Sequence, residues 1–124
     1  MELINKMKQK KIKIRGSKIL IMGLTFKENC KDIRNSGVQS VIHKLKKNEC
    51  ALDLYDPWAD KSEIKKIYNA SLITKLRQNN YDSILIAVAH EKFKTMGIKF
   101  ISSLCKKKYI IFDLKYLFSK EKIY

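Results

Sequence analysis

The sequence predicts an α/β domain built on an open, doubly wound parallel sheet with helices on both faces. Three observations carry that expectation. Four short apolar runs recur along the chain, at 18–23 (KILIMG), 51–56 (ALDLYD), 83–89 (SILIAVA) and 109–113 (YIIFD). Between them lie segments whose apolar residues fall at helical spacing. The third run is apolar almost throughout, as a central strand covered on both faces of a parallel sheet must be. Strands joined by helical crossovers run parallel, so the alternation fixes the class.

Residues 1–15 place Leu3, Ile4 and Met7 on one helical face, then pass through a lysine-rich stretch to Gly16. They read as the end of a connecting helix and a linker, with 16–124 as the domain proper. After the first strand come Val38, Val41, Ile42 and Leu45 at i, i+3, i+4 and i+7, with Asn35 or Ser36 placed to cap the helix. After the second, Ser62 is placed to cap a short helix carrying Ile64 and Ile67. Leu72, Ile73 and Leu76 form a further apolar stripe, and periodicity does not decide whether the segment near Tyr68 adds a short strand. Phe100, Ile101 and Leu104 mark the last helix. There are no repeats and no low-complexity tract.

Ligands of open parallel sheets bind beyond the carboxyl ends of the strands, and each of these ends carries polar residues. The first strand leads into the long loop 23–36, which mixes Lys27 and Arg34 with Glu28 and Asp32 and runs into a helix N-terminus, a natural anion site. Lys27 and Lys115 can neutralise a diphosphate there, and Phe26 offers a flat surface for a base. The loop has neither GxGxxG nor GxxxxGK[ST], so it is not the usual dinucleotide turn or a P-loop. On chemistry alone, a solvated loop with internal ion pairs stands equally beside the ligand site. The other ends are Asp56-Pro57-Trp58, Ala89-His90-Glu91 and Asp113-Leu114-Lys115. His90 is expected to position a loop in preference to acting as a general base. Trp58 reads as a packing residue and His43 as solvated.

A length of 124 residues fits one domain, and 45% hydrophobic residues suffice for a core. No apolar run approaches the ~20 residues of a membrane span, and the N-terminus lacks a signal-peptide pattern. A cytoplasmic protein without a membrane partner is expected. Cys30, Cys50 and Cys105 form no CxxC pair, which disfavours a disulfide framework or a zinc or other metal site and leaves reduced, mostly buried thiols. The net charge of +15 comes almost wholly from scattered lysines, with arginine only at 15, 34 and 77. Arginine is the better fork for phosphates and base edges, and A/T-rich codons alone produce a lysine bias. No specific nucleic-acid partner is expected.

The run Gly23-Leu24-Thr25-Phe26-Lys27-Glu28-Asn29-Cys30-Lys31-Asp32-Ile33-Arg34-Asn35-Ser36 resembles the GLTFKENCPDxRNS signature of the UDP-glucose/GDP-mannose dehydrogenase family, in its C-terminal UDP-binding domain. Tyr55-Asp56-Pro57, Ala87-Val88-Ala89-His90 and Phe112-Asp113-Leu114-Lys115 match later landmarks in order, so the resemblance covers roughly 16–118. It implies a Rossmann-like fold and a share in NAD-dependent oxidation of a UDP-sugar to a uronic acid for surface polysaccharide. By the same resemblance, Phe26, Lys27 and Lys115 contact the substrate and Arg34 reaches the cofactor NAD. NAD itself is held mainly by an N-terminal domain, and a central region carries the catalytic cysteine and drives homodimerisation. Neither is present here, and Cys30 does not match that nucleophile. The chain is therefore expected to be a fragment that is inactive alone. ENC and AVAH resemble the branch acting on UDP-N-acetylhexosamines. Two positions depart from the pattern: Lys31 stands where proline is usual, and Lys115 where relatives often carry arginine. The alternatives are an autonomous nucleotide-binding module that is not an enzyme, and a basic nucleic-acid-binding protein.

Overall fold

The computed structural model describes residues 2–25, 37–70, 72–114 and 117–118. Its elements follow the order α1 (Glu2–Gln9), β1 (Lys18–Met22), α2 (Val38–Lys47), β2 (Ala51–Tyr55), α3 (Lys61–Tyr68), β3 (Tyr81–Ile86), α4 (Glu91–Ser103) and β4 (Cys105–Asp113). The four strands form one sheet in the order β2-β1-β3-β4. All three pairings are parallel. The expected fold class is the observed one.

Alternation along the strands divides the core in two. Ile19, Ile21, Leu54, Leu85, Ile110 and Phe112 point to one face, where Leu3, Ile4 and Met7 of α1, Val38, Ile42 and Leu45 of α2, and Ile64 and Tyr68 of α3 cover them. Leu20, Met22, Tyr55, Ile84, Ile86 and Ile111 point to the other, under Phe93 and Ile101 of α4. The chain leaves β1 for β2 in one direction and passes from β3 to β4 in the other. Right-handed crossovers therefore place α2 and α4 on opposite faces.

Three local expectations are corrected. The N-cap of α2 is Gly37, which offers no side chain, while Asn35 and Ser36 lie outside the described residues. In α3 the cap is Asp60, whose carboxylate accepts the Glu63 amide at 3.0 Å, and Ser62 Oγ donates to Asp60 instead of capping. Leu72, Ile73 and Leu76 form no helix. Leu72 makes a parallel bridge to Leu54, and the Ile73 amide donates to the Leu54 carbonyl at 2.7 Å. The apolar spacing there serves a one-residue extension of the sheet edge and a return segment across the α4 face, where Ile73 and Leu76 pack.

Candidate functional site

The strand order reverses beside β1, because β2 lies on one side of it and β3 on the other. That switch point is where open α/β sheets leave a crevice for ligands. Here the chain leaving β1 passes very close to the chain leaving β3. Gly23 has φ +102°, and a Cβ on it would lie 2.6 Å from Val88 Cβ and 2.7 Å from the Val88 amide nitrogen. Only glycine combines that φ with that approach.

Immediately beyond this contact, three strand ends are tied together by a buried polar cluster. Asp56, the residue after β2, is 4% exposed and His90 is fully buried. Asp56 Oδ2 accepts the amides of Leu24 at 2.7 Å and Thr25 at 3.3 Å, both from the start of the 23–36 loop. The same oxygen lies 3.0 Å from His90 Nε2. Asp56 Oδ1 accepts the Trp58 amide at 2.7 Å. Thr25 Oγ1 is 3.1 Å from His90 Nε2. An ionised carboxylate only accepts, so Nε2 is the protonated ring nitrogen in this arrangement. The imidazole is held edge-on to Phe93, with ring centroids 5.3 Å apart, and Trp58 stands 6.4 Å from its other side.

A second aspartate repeats the device. Asp113 closes β4 and is fully buried. Its two carboxylate oxygens accept the amides of Leu117 at 2.9 Å and Phe118 at 3.0 Å. The end of β4 is thus tied to residues 117–118. A buried carboxylate costs a great deal unless its lone pairs are filled, and in both aspartates backbone amides fill them. Asp56 receives four donors, about the number of lone-pair sites a carboxylate offers.

The four residues assigned to ligands from the sequence, Phe26, Lys27, Arg34 and Lys115, lie outside the described residues, as does Cys30. The described residues fix both flanks of the loop, Thr25 through the buried cluster and Gly37 at the start of α2. His90 does position a loop. His43 is exposed, and Trp58, 45% exposed, packs only partly. Cys105 is buried and Cys50 half-buried. Burial pushes the Cys105 thiol up to about 12, with the Asp82 charge adding to it, and burial also raises Cys50. Among the described residues no group of three or more histidines, cysteines or carboxylates could hold a metal ion. The roles of Asp56 and Asp113 as loop anchors were not foreseen. Their signal was available in the sequence, since each is an acidic residue closing an apolar run.

The model of the UDP-glucose/GDP-mannose dehydrogenase family, UDP binding domain, matches residues 20–120. The chain belongs to this family. It is 41% identical over 120 residues to a UDP-N-acetyl-D-glucosamine 6-dehydrogenase of Salmonella typhi, an alignment covering 97% of this chain and 28% of that protein. A namesake from Pseudomonas aeruginosa is 36% identical, with 98% and 29% covered. The chain thus spans little more than a quarter of these relatives. Among solved structures, the UDP-D-ManNAc dehydrogenase of Pyrococcus horikoshii superposes with a TM-score of 0.75 at 21% identity, over 97% of this chain and 27% of that one. A UDP-glucose dehydrogenase from Pyrobaculum islandicum gives 0.71 at 17% identity, over 94% and 26%. These two likenesses speak to the fold. The family match includes Asp56, His90 and Asp113, so the anchors belong to the UDP-binding domain itself.

Proposed function

We propose that this chain is the nucleotide-sugar-binding part of an NAD-dependent UDP-N-acetylhexosamine 6-dehydrogenase of the cytoplasm, one that makes uronic acids for surface polysaccharide. The observation that carries this reading is the Asp56–His90–Thr25 cluster, which fixes the root of the signature loop at the topological switch point. On this reading Phe26 and Lys27 meet the nucleotide sugar, Lys115 approaches the same diphosphate from the end of β4, and Arg34 is the contact to NAD. Residues 1–15 run on from a central helical region, and the complete enzyme is a homodimer. The net charge of +15 attracts polyanions without reading their sequence.

The described residues do not fit NAD. Dinucleotide folds use an acidic residue near the end of the second strand for the ribose hydroxyls. Here Asp56 stands at that end, but it is buried and its acceptor sites are occupied by Leu24, Thr25, Trp58 and His90. The main NAD site is therefore assigned to other domains of the enzyme, and the chain alone is expected to be inactive.

Calorimetric titration of the chain with UDP tests the reading. Weak, saturable binding is expected, and Lys27→Ala should weaken it about tenfold or more, the effect of losing one charge-assisted bond of roughly 1.5–3 kcal/mol. Equal affinity in the variant would remove Lys27 from the site. NADH formation by the chain with NAD and UDP-sugars would overturn the division of labour.

A further inference from the structure

The α4 face of the sheet carries a second cleft, of about 650 Å³, well away from the switch point. It opens between residues 72–77 and the first residues of three strands, Lys18, Ala51 and Tyr81. Leu72, Ile73 and Leu76 supply an apolar part of its lining, and its volume lies within the ~300–1,000 Å³ usual for small-molecule sites. Four cations line it: Lys18, Lys61, Lys75 and Arg77.

Charge is what distinguishes this cleft from the generally basic surface. Lys61, Lys75 and Arg77 have no carboxylate partner among the described residues; the other described arginine, Arg15, is paired with Glu49 at 2.6 Å. The single carboxylate in the lining, Asp53, already accepts the Tyr81 hydroxyl at 2.6 Å. Burial, and then the Asp53 charge, raises the Tyr81 phenol, so it remains a donor at any physiological pH. Lys18 Nζ rests on the Asn80 side-chain oxygen at 3.3 Å, a neutral partner. Four cations in the lining outnumber the one carboxylate, which its neutral Tyr81 partner leaves charged, so the cleft keeps a net positive charge that an anion offsets.

We propose that this cleft is a second ligand site, separate from the nucleotide-sugar site, for a small phosphate compound carrying at least two negative charges. The cations hold the phosphates, and Leu72, Ile73 and Leu76 accept the body of an organic phosphate. Occupancy would draw Lys75 and Arg77 toward Lys18 and so fasten the 72–77 segment to the sheet.

The proposal is tested on the 124-residue chain by following backbone amide resonances during titration with inorganic pyrophosphate. Saturable shifts are expected at Asp53, Thr74, Lys75, Arg77 and Tyr81. The double variant Lys61→Ala/Arg77→Ala should raise the dissociation constant about tenfold or more. Lys8→Ala/Lys44→Ala removes the same charge outside the cleft and should change it less than twofold. All four side chains are exposed, and thermal melts of both variants check that the fold is kept. Equal weakening in the two double variants would reduce the effect to diffuse attraction and overturn the proposal. Shifts confined to Leu24, Thr25 and His90 would also overturn it, by assigning the anion to the nucleotide-sugar site.

Discussion

Replacing Asp56 by asparagine tests whether the buried cluster anchors the signature loop as strongly as its geometry implies. Asparagine is nearly isosteric, so packing is kept while charge and one acceptor are lost. Its carbonyl can take the place of Oδ2 and still accept from Leu24, Thr25 and His90, but the amide nitrogen then faces the Trp58 amide across 2.7 Å, donor against donor. Hydrogen bonds to a charged group are worth ~1.5–3 kcal/mol and neutral ones ~0.5–1.5. Three bonds weakened by ~1 kcal/mol each and one lost at ~1.5–3 kcal/mol give a penalty of about 5 kcal/mol, a large share of a typical total stability of ~5–15 kcal/mol. The urea midpoint should therefore fall by about 2 M or more for a denaturant slope of ~1–3 kcal/mol/M. Unfolding is followed by circular dichroism for the whole domain and by the emission of Trp58, the sole tryptophan, for the cluster. UDP affinity should fall along with the midpoint, because the cluster fixes Thr25, which directly precedes Phe26 and Lys27 in the sequence. A midpoint within about 0.3 M of wild type would refute the reasoning.

Gly23→Ala should cost about 3 kcal/mol or more, because a Cβ at φ +102° would meet the Val88 backbone nitrogen at 2.7 Å; a denaturation curve matching wild type would show that the two strand ends can part freely. Cys105 predicts a loss of stability at high pH. Its folded value of about 12 lies above the ~8.5 of an unfolded thiol, so its contribution is complete below ~8.5 and declines by about 1.4 kcal/mol per pH unit as pH rises toward 12. Urea midpoints from pH 8 to 11 should fall less steeply in Cys105→Ala than in wild type, and parallel slopes would exclude the thiol as the cause. Tyr68→Phe should stabilise the domain by about 1 kcal/mol, since the buried Tyr68 hydroxyl has no hydrogen-bond partner among the described residues; a lower melting temperature would mean that the hydroxyl has a partner after all.

The sheet was legible because its signals are local and strong. The runs at 18–23, 51–56, 83–89 and 109–113 all became strands, and the alternation of Ile19, Leu20, Ile21 and Met22 between two apolar faces follows from a strand covered on both sides. Strand order was not legible, since nothing local tells β3 to pair with β1 instead of β2. The stripe Leu72, Ile73, Leu76 misled for a related reason. Apolar residues at i, i+1 and i+4 suit a helix, but a bridge to Leu54 followed by packing on the α4 face satisfies the same residues with a different backbone. His90 bonds Asp56 and Thr25 at the loop root, yet these partners lie 34 and 65 residues away in sequence, and only the fold joins them.

The fate of Asp56 shows how one sheet layout serves two kinds of ligand. A carboxylate at the end of the second strand can read the hydroxyls of a ribose only if it keeps free lone pairs facing the crevice. In this domain the chain leaving β1 turns its Leu24 and Thr25 amides onto that carboxylate, and His90 closes the remaining approach from β3. The N–H dipoles of four donors point at the carboxylate and offset part of its negative charge. Its repulsion of an incoming diphosphate is reduced to that extent, so the same change that forfeits a ribose contact makes the crevice more tolerant of an anion. The loop root also becomes rigid before any ligand arrives, which lowers the ordering cost of binding. Anchoring and charge screening are therefore a single event, and on the proposed reading they suit this switch point to a nucleotide sugar instead of a dinucleotide.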